Sequence, residues 1–242
     1  MVDAPDSKSG ILRSVRVQVP PQAPYYNKLK RFGKESLFFL NSARTLVTLI
    51  LVGCQSWDVQ QFISGGKMYK DIIKIVSGDI TKIPEAEVIV NAANNQLEMG
   101  GGVCGAIFRA AAGDLAKECK EIGGCATGEA VITKGYNLPN KYIIHTVGPR
   151  YSTGENGEAE KLASSYYKSL KLAKEKGLRK IAFPSVSTGI YRFPVNEGAE
   201  IALNTAKKFV DENPNSFELI LWVLDEKTYI VYKEKYEKII KE

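Results

Sequence analysis

Two loops of small residues could hold an anion. Gly100-Gly101-Gly102-Val103 precedes a helical pattern, so its backbone N–H groups would point at an anion with the helix dipole behind them. Its spacing and residues match neither a Walker loop nor a dinucleotide-binding fingerprint. Ser185–Tyr191 follows a short apolar run and also consists of small residues before an aromatic one. From opposite sides, the two loops could clamp the two phosphates of a diphosphate, while Tyr191 could cover a ribose.

Two polar clusters could add contacts to the same ligand. Asp79 lies in Gly78–Thr81 after one apolar run, and Asn91 and Asn94 bracket two alanines after another. A carboxylate can accept a hydrogen bond from an exocyclic amine, and an amide can both donate and accept. Because Asp, Asn and Thr are also common in turns and helix caps, a plain turn remains an open alternative for both clusters.

The elements that must position these clusters alternate between strand and helix. Apolar runs predict strands at 72–76, 88–90, 129–134, 141–147, 180–183 and 218–224. Apolar residues at helical spacing predict helices at 106–121, 159–176, 196–212 and 228–240. This alternation predicts a three-layer α/β/α domain with a central mixed, mostly parallel sheet. Ligands of open α/β sheets bind outside the carboxyl ends of strands, where such loops lie.

Residues 1–67 are predicted to be a non-domain extension, either disordered or a start-site artefact, and residues 68–242 to be the domain. The stretch Val2–Gly10, with Val15–Pro21 after it, resembles the conceptual translation of a bacterial transfer-RNA gene. Gly65-Gly66-Lys67 before Met68 can be encoded by a purine-rich ribosome-binding sequence. We therefore expect the natural start at Met68. Detection of a peptide from residues 1–67 in the native protein would contradict this expectation.

A lipoprotein signal is the alternative for part of this extension. Leu46–Gly53 is apolar, follows a basic stretch and ends before Cys54, which would be the lipidated residue. Arg44 beside the apolar run argues against it. The run is too short to span a membrane as a helix, so no membrane partner is expected.

The basic excess of the chain lies mostly outside the predicted domain. The net charge is +6, but residues 1–67 hold nine Lys/Arg and four Asp/Glu, whereas residues 68–242 hold 24 and 23. The domain is therefore nearly neutral, which argues against a nucleic-acid partner.

The cysteines and the single histidine do not form a metal-binding pattern. No pair among Cys54, Cys104, Cys119 and Cys125 has the spacing of a zinc motif, and His145 cannot complete a usual set. We expect reduced thiols in a cytoplasmic protein, with no metal and no cofactor. The apolar strand pattern around His145 favours a structural hydrogen bond over catalysis.

In their order along the chain, the motifs resemble those of macrodomains. The segments that carry the resemblance are Gly78–Thr81, Asn91–Asn94, Gly100–Val103 with Gly105–Ile107, Gly123–Glu129, Tyr142–Pro149 and Pro184–Tyr191. It covers essentially all of residues 70–240 and none of 1–67. Bacterial and archaeal members that remove ADP-ribose or O-acetyl groups look most similar.

The resemblance implies an ADP-ribose site. Asp79 would bind the adenine amine beside the backbone of Ile80, Asn91 would contribute an amide, and Asn94 would contact the distal ribose near the scissile bond. The diphosphate and the distal ribose would be enclosed by Gly100, Gly101, Gly102, Val103, Ser187, Thr188, Gly189, Ile190 and Tyr191.

The resemblance also implies a hydrolase. It would remove ADP-ribose from ester-linked mono-ADP-ribosylated protein, or deacetylate O-acetyl-ADP-ribose, with water positioned by Asn94 and the ligand diphosphate. Many hydrolytic members carry Asp directly after the valine of the glycine loop, or His just before the glycines. Here these positions are Cys104 and Met99. A missing general base can cost about 10²–10⁴-fold in rate.

Cys104 is a candidate catalytic nucleophile, and the alternative is a small side chain that fills space beside the loop, because no His or Asp partner is visible. Two other functions also stay open. A module could bind ADP-ribose without turnover, or the pocket could bind nucleic acid.

Overall fold

The computed structural model describes residues 37–40, 47–50 and 69–241. The chain divides into two units, residues 1–66 and 67–242, and each is described by itself. In the first unit, β1 (Leu37–Leu40) pairs antiparallel with β2 (Val47–Ile50). The predictions for Cys54 and for a start at Met68 lie outside the described residues and stay predictions.

The second unit contains a mixed six-stranded sheet in the order β3-β8-β7-β4-β6-β5. The strands are β3 (Ile73–Ser77), β4 (Val88–Ala92), β5 (Ala130–Lys134), β6 (Tyr142–Thr146), β7 (Lys180–Phe183) and β8 (Leu219–Leu224). All pairings are parallel except that of β5 with β6. The carboxyl ends of the five parallel strands therefore meet at one edge of the sheet.

Helices cover both faces of this sheet. They are α1 (Tyr69–Ile72), α2 (Gly102–Ala111), α3 (Leu115–Ile122), α4 (Glu158–Glu175), α5 (Val195–Glu212) and α6 (Glu226–Ile239), with a 3-10 turn at Ile80–Lys82. Helices α2 and α3 pack on one face, and α4, α5 and α6 pack together on the other. The predicted three-layer α/β/α fold with a mixed, mostly parallel sheet is confirmed. Within residues 69–241, no helix is both long and apolar enough to cross a membrane.

Alternation along the strands builds a core on each face of the sheet. Ile89 of β4 and Leu221 of β8 pack with Ile107 of α2 on the first face. On the second face, the ring of Trp222 lies 6.1 Å from that of Tyr166 of α4, centroid to centroid. Because side chains of a strand alternate between faces, central strands covered on both sides are apolar throughout.

The single helix predicted at 106–121 is wrong, because the chain forms α2 and α3 instead. Ala112 has φ +48° and Gly113 has φ +57°, so the backbone leaves the helix there. Gly113 followed by Asp114 combines a helix stop with a helix-start residue, a signal hidden by the apolar periodicity on either side. The other predicted elements agree with the structure to within two residues at each end.

Candidate functional site

A cleft of about 390 Å³ opens at the carboxyl edge of the sheet. Its walls come from the segments after β4, β6, β7 and β8 and from the loop before α2. This is where open α/β sheets bind ligands. The cleft brings together most of the predicted residues: Asn94, Gly100, Gly101, Gly102, Val103, Cys104, Ser187, Thr188, Gly189, Ile190 and Tyr191.

The glycine loop presents backbone donors to the cleft. Helix α2 begins at Gly102, so the first N–H groups of the helix have no partner within it. Gly102 has φ +58°, a conformation that favours glycine. A Cβ at Gly101 would lie 3.0 Å from Cδ1 of Ile190, so the two loops approach each other across the cleft. An anion between them would meet the N-terminus of α2.

The loop of residues 187–191 faces the glycine loop with unused polar groups. Within the described part of the chain, the N–H groups of residues 188–191 donate to no protein acceptor. The Oγ of Ser187 is buried without a hydrogen-bond partner among the same residues, and Ser187 has φ +66°. Buried unpaired groups and strained backbone are concentrated at ligand sites. The two facing loops therefore fit an oxygen-rich anion such as a diphosphate.

Asn94 is oriented by the segment that follows it. Its Nδ2 donates to the Glu98 carbonyl at 2.8 Å, and its Oδ1 accepts from the Glu98 N–H at 3.0 Å. An amide has two N–H donors and two oxygen lone pairs, so one of each remains. A Cβ at Gly100 would lie 3.6 Å from Asn94 Nδ2, which places the amide beside the glycine loop. Asn94 can therefore hold a small polar molecule in the cleft.

The structure does not bring Asn91 into the cleft, which corrects the predicted ligand contact. The side chain is fully buried, because the alternation of β4 places it on the same face as Ile89, under α2. Its Nδ2 lies 3.0 Å from Nδ1 of His145 and donates to Sγ of Cys104 at 3.6 Å. Asn91 is thus a structural residue behind the site.

His145 is a buried structural residue, as the sequence predicts. Burial lowers its pKa to about 4, so the imidazole is neutral near neutral pH. With Nδ1 accepting from Asn91, the ring proton is assigned to Nε2, which lies 2.9 Å from Oγ1 of Thr133. Both ring nitrogens are therefore used inside the core, and neither is left for catalysis.

The structure gives Cys104 a positioning role instead of the predicted nucleophilic one. Its side chain is buried, accepts from the Asn91 amide and donates to the Glu98 carbonyl at 3.6 Å. Neither partner can take a proton from a thiol. The Glu98 carbonyl also accepts from Asn94, so a chain of polar contacts runs from His145 to Asn94.

Asp79 and Ile80 lie at the same sheet edge but outside the residues that line the cleft. They follow β3, which pairs with β8, whose end does line it. The Asp79 carboxylate accepts from the Thr81 N–H at 3.0 Å and hydroxyl at 2.7 Å, and these bonds hold its pKa below the usual value. The Ile80 side chain is buried in the core. In this structure Asp79 is a cap, and its exposed carboxylate lies at the end of the strand next to β8.

Sequence reasoning missed Gly148, Arg150 and Asp225, which also line the cleft. The Arg150 guanidinium lies 4.6 Å from the centre of the Tyr191 ring. Asp225 caps α6; burial acts to raise its pKa, but hydrogen bonds from Thr228 and neighbouring amides outweigh it and hold the pKa low. All three closely follow predicted strands, which is the signal that could have found them.

Comparisons with known proteins give the family. The family model described as "Macro domain" matches residues 90–202. An uncharacterized protein of Fusobacterium nucleatum is 82% identical over 173 residues, 72% of this chain and 99% of that protein. A macro domain-containing protein of Methanosarcina mazei is 53% identical over 64% of this chain and 83% of its own length. The human ADP-ribose glycohydrolase MACROD2 is 47% identical over 70% of this chain and 40% of its own length.

Solved structures agree in fold. The Oceanobacillus iheyensis macrodomain with ADP matches with a TM-score of 0.68 at 43% identity, covering 73% of this chain and 96% of that one. The Trypanosoma brucei macrodomain in complex with ADP-ribose matches with a TM-score of 0.62 at 38% identity, covering 67% of this chain and 68% of that one.

Proposed function

Since this chain belongs to the macro domain family, we propose that its cleft binds ADP-ribose and that the domain hydrolyses ADP-ribose esters. The substrates are ester-linked mono-ADP-ribosylated protein or O-acetyl-ADP-ribose. The observation that carries the proposal is the pair of facing loops, with free N–H groups and the unpaired Oγ of Ser187 between them. The ligands of the similar structures, ADP and ADP-ribose, and the glycohydrolase name of the human relative support it.

In the proposed complex, each part of the ligand has its own position along the cleft. The diphosphate lies between the two loops, close to the N-terminus of α2. The adenine lies toward Asp225 at the end of β8, with Asp79 one strand beyond. The distal ribose lies at the other end, beside Asn94 and under the ring of Tyr191.

The chemistry common to both substrates is attack of water on the ester carbonyl carbon. The water oxygen bonds to that carbon and the bond from carbon to the ribose oxygen breaks. One proton of the water passes to the ribose oxygen, the other passes to solvent, and the acid leaves as a carboxylate. Asn94 has one N–H and one lone pair free to hold the water. A diphosphate oxygen accepts a hydrogen bond from the same water. Orientation of this kind can supply several kcal/mol, roughly 7–11 in the best intramolecular cases.

A binding module without turnover is the second candidate. The side chains that line the described cleft favour it, because they offer Asn94 no evident general base. They include no imidazole, and the carboxylate among them, that of Asp225, is engaged as a helix cap. Under this alternative, affinity for ADP-ribose remains and ester cleavage is absent.

Calorimetric titration with ADP-ribose tests the binding half of the proposal. We expect saturable one-to-one binding, with ADP weaker because it lacks the distal ribose, and AMP weaker still because it lacks the diphosphate. Ser187→Ala should weaken ADP-ribose and ADP, which place a phosphate at that hydroxyl, more than AMP. Absence of saturable binding of ADP-ribose would overturn the proposal.

A further inference from the structure

A second cavity, of about 230 Å³, adjoins the ribose end of the cleft. Gly148, Arg150 and Tyr191 line both cavities, and Asn95, the chain neighbour of Asn94, lines the second. We infer that this second cavity receives the acidic peptide segment that flanks the ADP-ribosylated residue of a protein substrate. The inference rests on the proposed function, because it takes the distal ribose to lie beside Asn94.

The cationic groups of the second cavity are available to a ligand. Arg150 makes no hydrogen bond or ion pair with any residue that the structure describes, and its guanidinium rests on the Tyr191 ring. A guanidinium carries five N–H donors, which suit a carboxylate. Lys161 uses one of its three donors, on the Asn156 carbonyl at 3.4 Å. Two cations with spare donors therefore face the cavity.

The acidic residue of the second cavity is committed to the protein. Glu158 is buried, and its carboxylate accepts from the Ser152 hydroxyl at 2.7 Å and from the Asn156 N–H at 2.6 Å. The bond from Ser152 is the largest cause that lowers the Glu158 pKa, to about 2, so it stays ionised and fixed. Because its oxygens are directed to the 152–156 loop, the charged groups that the cavity leaves for a ligand are the two cations.

The position of the cavity favours a peptide over a free anion. In an ester-linked substrate, the atoms beyond the ester carbonyl belong to the modified protein and must leave the cleft beside Asn94. The residues shared by the two cavities lie on that side. The Tyr151 N–H donates to the Tyr191 carbonyl at 2.8 Å, which links the wall of the second cavity to the phosphate-facing loop. Peptide and ADP-ribose would therefore be held by one connected frame.

Two ADP-ribosylated peptides test the inference. Both carry ADP-ribose through a linkage without an ester, so that binding is read without turnover; one has Glu on each side of the modified residue and the other has Gln. For wild type we expect about threefold to tenfold tighter binding of the Glu peptide by calorimetry, typical of exposed ion pairs, with a ratio that falls as salt rises.

Matched variants locate the effect. Lys161→Gln should lower the ratio and leave the affinity for free ADP-ribose unchanged, and Arg150→Gln should bring the ratio near one. Lys171→Gln, an exposed lysine of the same helix that lines neither cavity, should keep the wild-type ratio.

Equal affinity of wild type for the two peptides would overturn the inference, as would a ratio that survives both substitutions. Tighter binding of an oligonucleotide with ADP-ribose on its terminal phosphate than of either peptide would also overturn it. Failure of the proposed function would give a different result, the absence of binding of free ADP-ribose. That result would overturn both the proposed function and the inference about the second cavity.

Discussion

The thiol of Cys104 shows how much a single side chain depends on its neighbours. In sequence, its place after the glycine loop allows a nucleophile as well as a space-filling residue. In the structure, it joins Asn91 to the Glu98 carbonyl, which in turn orients Asn94. Under the proposed function, the group that positions the attacking water is therefore the amide of Asn94, and Cys104 acts through the backbone beside it.

Cys104→Ala separates these two roles. We expect the variant to retain ester hydrolysis within about tenfold of wild type, because loss of the sulfur loosens the Glu98 segment without removing a reacting group; weak, long contacts to sulfur contribute on the order of 1 kcal/mol. Initial rates of ADP-ribose release measure it, with Asn94→Ala alongside. A loss of rate as large as that of Asn94→Ala would contradict the positioning role and indicate that Cys104 is the catalytic nucleophile.

Residue types after predicted strands were enough to predict Asn94 and the loop of residues 187–191, because the carboxyl ends of parallel strands share one edge. The glycine loop was predicted from its place before a helix. Residue types were not enough for Asn91. Two amides three positions apart look alike in sequence. Only the packing of β4 under α2 determines that Asn91 faces the core, while Asn94, just beyond the strand, faces the cleft.

At the scale of elements, the site depends on close contacts between segments that are distant in sequence. A Cβ on Gly148 would overlap Oγ of Ser187 and Cγ1 of Val186. The segment after β6 and the segment after β7 therefore need a glycine at their contact. The pattern of strands predicts that these segments are neighbours, but it does not reveal how closely they approach.

Gly148→Ala should destabilise the fold by roughly 1–3 kcal/mol, the usual cost of overpacking, and weaken ADP-ribose binding by displacing Ser187. Denaturant unfolding and calorimetry measure the two effects. Gly189→Ala is the matched control for stability, since a Cβ there meets no atom within 4 Å, and we expect a change within about 0.5 kcal/mol. Equal stability of the two variants would contradict the packing argument.

Glu158→Gln tests the loop that forms the wall of the second cavity. Hydrogen bonds, led by that from Ser152, lower the Glu158 pKa from 4.5 to about 2. A depressed carboxyl pKa stabilises the folded state above the unfolded-state value, so the stability advantage of wild type over the variant should be full above pH 4.5. It should decline as the pH falls toward 2. Unfolding midpoints of both proteins across this range measure it, and a pH-independent difference would contradict it.

On the scale of the whole molecule, one titrating residue lies at the centre of the domain. His145 is the only histidine of the chain. Its side chain is fully buried, because β6 is covered on both faces. The sequence predicted the three layers of the fold and the buried strand that contains His145. It did not reveal the break between α2 and α3 or the partners of His145, which depend on tertiary contacts.

Acid should therefore destabilise the domain first through His145. Its pKa falls from 6.5 to about 4 on folding, so the unfolded chain binds a proton that the folded chain does not. Stability should fall as the pH drops from 6.5 to 4, by roughly 3 kcal/mol at 1.36 kcal/mol per unit. Urea unfolding of wild type and His145→Gln measures it. The variant should lack this component, and the same pH slope in both would contradict the assignment.

The most direct measurement of the central claim is the release of ADP-ribose from an ester-linked mono-ADP-ribosylated protein over time. We expect turnover by wild type and a loss of about 10²–10³-fold in Asn94→Ala, the usual cost of removing one polar group that acts on the transition state. ADP-ribose binding should persist in the variant. An intact ester after hours with wild-type protein that binds ADP-ribose, or undiminished turnover by Asn94→Ala, would contradict it.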